Sequence, residues 1–223
     1  MERPEVIVNV ASSLDGVIAS NQGALILSTT EDWIRVHELR NSVDALLVGI
    51  NTIEKDDSLL TIRYVTPKTP HPWRIILDTT CKISLEANLL KNLEIYPTII
   101  VTSEESSKEK IQQLKEMGAQ VLQISKKGTS NHLNLTEALQ KLKNDFNIEK
   151  LLVEGGSTVI TQFLKNKFVD RMYIFYAPLF AGTIKAKSLY EQDVVVNVAD
   201  ALNFDIKQIE QLEEGFVVTL TIK

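Results

Sequence analysis

The sequence predicts an α/β fold with a largely parallel sheet and helices on its faces. Three observations lead there. Short β-rich apolar runs recur along the chain, helical patterns stand between several of them, and the runs are continuous rather than alternating, as in strands buried on both faces. The runs are Val6 to Val10, Ala45 to Ile50, Arg74 to Leu77, Thr98 to Thr102, Val121 to Ile124 and Leu151 to Val153.

The first helical pattern covers Glu31 to Asn41, with Trp33, Val36 and Leu39 on one side and an S-x-x-E start box at Ser28 and Glu31. After the second strand, Asn51 is placed to cap a one-turn helix carrying Thr52 and Asp56, four positions apart and so on one face. The Pro-rich stretch from Thr66 to Trp73 reads as an ordered loop leading into the third strand. Ser106 to Met117 repeats Ile111 and Leu114 at helical spacing and is stopped by Gly118. Leu135 to Phe146 carries Leu135, Leu139, Leu142 and Phe146, with Thr136 available as a cap. The tail changes character. Arg171 to Ala177 and Phe216 to Ile222 are β-rich, and the second alternates in the manner of an antiparallel strand near the end of a sheet. With no internal repeat and no low-complexity tract, residues 1–223 read as a single domain.

Composition narrows the function. Hydrophobic residues make up 44% and charged residues 24%, as in an ordinary globule. A net charge of −5 argues against a broad nucleic-acid surface, which needs excess Lys and Arg. No apolar segment approaches a membrane span, and the start MERPEVIVNV lacks a secretory pattern, so a cytoplasmic protein is expected. The single cysteine, Cys81, reads as a half-buried small side chain. His37, His71 and His132 have no ligand spacing; they read as surface histidines, and no metal site is expected. The adjacent acids Asp56 and Asp57 read as solvated turn residues.

In an open parallel sheet, ligands bind beyond the carboxyl ends of the strands. Asn51, Thr52 and Asp56 follow the second strand; Asp78, Thr79 and Thr80 the third; Ser103 the fourth; Ser125, Lys126 and Lys127 the fifth. Glu154, Gly155, Gly156, Ser157 and Thr158 follow the sixth and open a helix whose Val159, Ile160, Phe163 and Leu164 face inward. The first-turn N–H groups and the dipole of such a helix favour a phosphate or pyrophosphate. The same glycines also suit a plain tight turn. Neither GxxxxGK[ST] nor GxGxxG occurs, which disfavours a P-loop nucleotide triphosphatase or an ordinary dinucleotide-binding dehydrogenase.

Four motifs in order, SLDG at Ser13 to Gly16, VGxxTxxxDDxxLTxR at Val48 to Arg63, LD at Leu77-Asp78 and VEGG at Val153 to Gly156, resemble the riboflavin-pathway pyrimidine reductases. Ser58 departs from the proline usual after the DD pair. The resemblance covers essentially the whole chain and implies a dihydrofolate-reductase-like three-layer sandwich with a mostly parallel central sheet and an antiparallel C-terminal strand. It also implies NADPH as cofactor, reduction of a phosphorylated ribosylaminopyrimidine to its ribitylamino counterpart by hydride delivery to C1′ of an opened imine, and a homodimer. Thr52, Asp56, Asp78, Thr79, Thr80, Gly155, Gly156, Ser157 and Thr158 match its cofactor positions. Ser28, Arg40, Leu59, Arg63 and Glu154 match its substrate positions.

An acid beside a protonated imine stabilises the cation that accepts hydride. Glu154 is the first choice for this catalytic role and Asp56 the second. Arg63 suits the substrate phosphate through its planar fork. Lys126 or Lys127 could serve the 2′-phosphate of NADPH, or stand in a solvated loop. The deaminase signatures H-x-E and P-C-x-x-C are absent, which suggests a stand-alone reductase. Asn9, where fused family members usually carry lysine, favours the 2,5-diamino substrate over its deaminated counterpart, 5-amino-6-(5-phosphoribosylamino)uracil. A dihydrofolate reductase and a non-catalytic NADPH-binding sensor are the rival readings.

Overall fold

The computed structural model describes residues 2–20, 25–128, 132–182, 186–190 and 201–223. In chain order the elements are β1 (Glu5–Ser13), β2 (Val17–Ser20), α1 (Thr30–Asn41), β3 (Ala45–Gly49), α2 (Ile50–Asp56), β4 (Trp73–Leu77), a 3-10 turn (Asn88–Leu90), β5 (Thr98–Ser103), α3 (Lys108–Glu116), β6 (Gln120–Ile124), α4 (Leu135–Phe146), β7 (Lys150–Gly155), α5 (Ser157–Lys165), β8 (Arg171–Ala177), β9 (Ala186–Ser188), β10 (Phe204–Gln211) and β11 (Phe216–Ile222). They fall into two compact units, one of Met1–Glu5 with Leu39–Leu152, the other of Val6–Glu38 with Val153–Lys223.

In the first unit β3, β4, β5 and β6 lie side by side and parallel, with Gly49 opposite Leu77, Leu77 opposite Val101 and Ser103 opposite Ile124. The continuous apolar runs have the expected burial. Leu46, Leu47, Val48, Ile75, Ile76, Ile99, Ile100 and Val101 are all buried. Each such aliphatic side chain contributes about 1.5–3 kcal/mol of transfer free energy. Asp44 ties in the start of β7: its N–H donates to the Lys150 carbonyl at 3.0 Å and its carboxylate accepts from the Glu149 and Lys150 N–H groups at 3.0 and 2.8 Å.

In the second unit β1 runs parallel to β8, β8 is antiparallel to β11, and β10 is the outer strand, antiparallel to β11. Leu27, Phe175, Ala177, Leu212 and Val217 form one core cluster there. β2 and β9 pair antiparallel as a separate ribbon. Three strands escape the sequence reading: β2, β9 and β10. β10 is exposed along most of its length, so its FDIKQIEQ lacks the apolar run that marks the others.

Several local expectations are corrected. Thr29, not Ser28, caps α1, its hydroxyl accepting from the Asp32 N–H at 3.2 Å. Asn51 is not a cap: α2 is seven residues long with Gly49 before it, and Asn51 instead accepts from Lys82 Nζ at 3.0 Å. Asn134, not Thr136, caps α4 through the Glu137 N–H at 3.3 Å, since the cap must stand just before the first helical residue. His37 is fully buried rather than superficial. Cys81 is buried too, and burial, followed by the nearby Asp78, pushes its thiol pKa up. No helix among the described residues is long and apolar enough to cross a membrane.

Candidate functional site

The first unit gathers polar groups along the carboxyl end of its strands. α2 follows β3 immediately and carries Thr52, half-buried, and Asp56, exposed on the last helical residue. Asp57 then takes a left-handed backbone, φ 42°, and its carboxylate accepts from the Asn88 N–H at 3.0 Å and from the Asn88 side-chain amide. The second acid of the DD pair is exposed, as a solvated turn residue should be, and it also holds the turn through Asn88.

Asp78, Thr79 and Thr80 follow β4, beside β3 in register. Asp78 is wholly buried; one carboxylate oxygen accepts from the Ile83 N–H at 2.8 Å, while the other, Oδ1, has no hydrogen-bond partner among the described residues. Thr79 lends its carbonyl to the Ser103 N–H at 3.2 Å, so the ends of β4 and β5 are tied together. Further along the same edge, the Ser125 N–H and hydroxyl both donate to Glu137, at 3.0 and 2.6 Å. Lys126 is ion-paired with Glu105, which leaves its charge less available to a phosphate.

The segment from Ser58 to Arg63 has no regular secondary structure. Leu60, Thr61 and Ile62 are buried, whereas Leu59 and Arg63 are exposed. Arg40, buried near the end of α1, donates to the Thr61 carbonyl at 2.9 Å, and Arg63 donates to the Thr61 hydroxyl at 3.1 Å. Arg74 stands second in β4, fully buried, and donates to the Leu59 carbonyl at 3.2 Å. Sequence reading counts Arg74 only as the start of an apolar strand. Its signal is a cation set against IIL in a strand buried on both faces.

The second unit holds Ser28, Glu154, Gly155, Gly156, Ser157 and Thr158. Glu154 is half-buried at the end of β7, Ser157 is buried and Thr158 exposed. Gly155 has φ +127°, and a Cβ built on it would meet nothing within 4 Å. The backbone there needs glycine and lies beside open space. α5 begins at Ser157 with Gly156 as its cap residue, so no side chain caps the positive end of its dipole. In the same unit Asn9 is buried and its carbonyl oxygen accepts from Arg35 Nη2 at 2.9 Å. Arg35 is itself fixed by the buried Asp32, at 2.9 Å from Nε and 2.7 Å from Nη2.

These features define an α/β protein whose strand ends present carboxylates, hydroxyls and glycines in the manner of a nucleotide-dependent enzyme. Residues 4–218 match the family model described as the RibD C-terminal domain, and the chain belongs to that family. It is 39% identical over 219 residues to the riboflavin biosynthesis protein RibD of Aquifex aeolicus, covering 97% of this chain and 57% of that protein. The 2,5-diamino-6-ribosylamino-4(3H)-pyrimidinone 5′-phosphate reductase of Methanothermobacter thermautotrophicus is 34% identical over 222 residues, 99% of both chains. The structure of Acinetobacter baumannii RibD superposes with a TM-score of 0.85 at 27% identity, covering 99% of this chain and 58% of that one. The chain thus spans a little over half of the RibD proteins and the full length of the shorter reductase.

Two observations fit a nicotinamide dinucleotide cofactor, the kind a reductase requires. The Asp78 Oδ1 oxygen is buried without a partner among the described residues, a state that normally calls for an added donor. A Cβ on Gly155 would meet no atom of the described residues within 4 Å, its chain neighbours aside, so room lies beside this backbone.

Proposed function

We propose that this protein reduces 2,5-diamino-6-ribosylamino-4(3H)-pyrimidinone 5′-phosphate to the ribitylamino product in riboflavin biosynthesis, with NADPH as cofactor and residues 1–223 acting as one pyrimidine reductase domain. The observation that carries this reading is the match of 99% of both chains to the Methanothermobacter reductase of that name. Asn9, in place of the lysine usual in fused members, supports the diamino over the deaminated substrate.

Bound NADPH supplies the hydride that C1′ of the opened sugar accepts. Gly155, Gly156, Ser157 and Thr158 hold its pyrophosphate at the start of α5, where the helix dipole favours anions. Asp78, Thr79 and Thr80 serve its adenosine and phosphate portions, and Thr52 and Asp56 complete the cofactor contacts. Glu154 sets a carboxylate beside the protonated imine and stabilises the cation before hydride arrives, with Asp56 as the second acid. Arg63 grips the 5′-phosphate with its planar fork, and Ser28, Arg40 and Leu59 complete the substrate contacts. The acidic balance, net charge −5, suits a small-molecule enzyme rather than a nucleic-acid binder. The protein works in the cytoplasm as a homodimer; sedimentation velocity showing a monomer at micromolar concentration would remove the second part.

The direct test is NADPH oxidation with the diamino and the deaminated pyrimidine phosphates side by side, in wild type and Glu154→Gln. Turnover of the diamino substrate is expected to dominate, and Glu154→Gln to lower kcat by about 100-fold with the NADPH Kd unchanged. NADPH binding without turnover of either pyrimidine would favour the sensor reading; turnover of dihydrofolate alone would favour a dihydrofolate reductase.

A further inference from the structure

We infer that Arg74 is the positioning residue for the Leu59–Arg63 segment, and through it for the Arg63 guanidinium; the inference rests on the reading that this segment holds the substrate phosphate. Arg74 is the largest fully buried side chain among the described residues. Every acceptor it meets among the described residues is neutral: the Thr98 hydroxyl at 3.0 Å from Nε and 2.7 Å from Nη2, the Tyr96 carbonyl at 2.7 Å, and the Leu59 carbonyl at 3.2 Å. The Tyr96 ring lies 5.2 Å from its guanidinium carbon. Burial lowers its pKa to about 10, which still leaves it charged at neutral pH.

A cation placed here without a carboxylate is a poor choice for stability alone, since an apolar side chain of similar volume would need no ion desolvation. What arginine adds is reach and direction. Its rigid fork joins two separate stretches of chain, Tyr96 to Thr98 at the start of β5 and the irregular segment before β4.

That segment needs such a hold. Leu60 sits at φ +50°, a region a leucine adopts only when its surroundings over-determine it. The carbonyl before Leu60 accepts from Arg74 and the carbonyl after it from Arg40, so two buried guanidiniums bracket the strained residue. Exposed Leu59 and Arg63 flank the pinned stretch and are thereby presented outward in a fixed orientation. Arg74 is buried and bonds only to protein groups among the described residues, so it acts through the backbone that carries Arg63.

Arg74→Met and Arg74→Lys test this, read by amide hydrogen exchange and by steady-state kinetics with the diamino pyrimidine phosphate. Both variants should exchange faster at residues 59–63, by about tenfold, while amides of β5 stay as in wild type. The KM for the pyrimidine phosphate should rise about tenfold with kcat less affected and the NADPH Kd within twofold. Lysine should restore folding without restoring KM, because one ammonium cannot span the Thr98 hydroxyl and the Leu59 carbonyl together; should the methionine variant fail to fold, the lysine variant decides. Exchange that rises equally in β5 and in 59–63, or a substrate KM left unchanged in a folded variant, would overturn the inference. Wild-type protein that turns over no pyrimidine would instead remove the functional reading, and the exchange result would still decide whether Arg74 positions the segment.

Discussion

Two glycines of the second unit separate backbone strain from steric conflict, and they should also separate stability from ligand binding. Gly155 has φ +127° and Gly215 has φ +95°, so alanine is strained at both. At Gly155 the added methyl meets nothing within 4 Å, and the loss is strain alone, about 1–3 kcal/mol. At Gly215, in the turn between β10 and β11, the methyl would stand 2.4 Å from the Tyr176 carbonyl oxygen and 2.9 Å from two carbons of the Phe175 ring. Both neighbours belong to β8, paired with β11 and packed in the core, so neither can swing away. Strain and overpacking together should cost about 4 kcal/mol in Gly215→Ala. At a chain of this size that lowers Tm by about 8–16 °C, against about 2–12 °C for Gly155→Ala. Fluorescence titration with NADPH should give the opposite ranking: Gly155→Ala weakens binding about tenfold, because the methyl enters space assigned to the cofactor, and Gly215→Ala leaves Kd within twofold. Equal melting shifts, or a cofactor affinity lost at Gly215 and kept at Gly155, would refute the reasoning.

Asp15 of the SLDG turn accepts from the Ser13 hydroxyl at 2.5 Å and from the Ala181 and Gly182 N–H groups at 3.0 and 2.7 Å. These bonds, the Ser13 hydroxyl first, hold its pKa down at about 2 from an ordinary 3.8. Because the folded value is the lower one, the tether is complete above the unfolded pKa and fails as pH falls through about 2. Amide exchange at residues 181 and 182 should therefore stay protected at pH 5, and Asp15→Asn should weaken that protection even at neutral pH. Asn134→Ala should cost about 1 kcal/mol in chemical denaturation through loss of the α4 cap, whereas Thr136→Ala, exposed inside the helix, should be near neutral.

The parallel core was legible because its strands are buried on both faces and carry unbroken apolar runs; β3, β4 and β5 begin and end within a residue of the runs that marked them. Helix caps were misplaced by one or two positions because Ser28, Thr29 and Thr30, or Asn134 and Thr136, offer equivalent side chains, and only the backbone decides which one caps. β10 was missed because exposed Ile206 and Ile209 stand among polar neighbours and give no run. Among candidate site residues, the glycines and acids singled out by position do stand at the ends of β4 and β7. Arg74 was hidden by the apolar context that makes it informative, and the turn-holding role of Asp57 depends on Asn88, which is distant in sequence. Such long-range partners leave no local pattern.

The most direct test of the proposed chemistry is isotope transfer with the diamino pyrimidine phosphate and NADPH deuterated at both positions of the nicotinamide C4. A ribitylamino product carrying one deuterium at C1′, formed in step with cofactor oxidation, is the expected result. Product without deuterium at C1′, or cofactor bound and left unoxidised beside intact substrate, would contradict it.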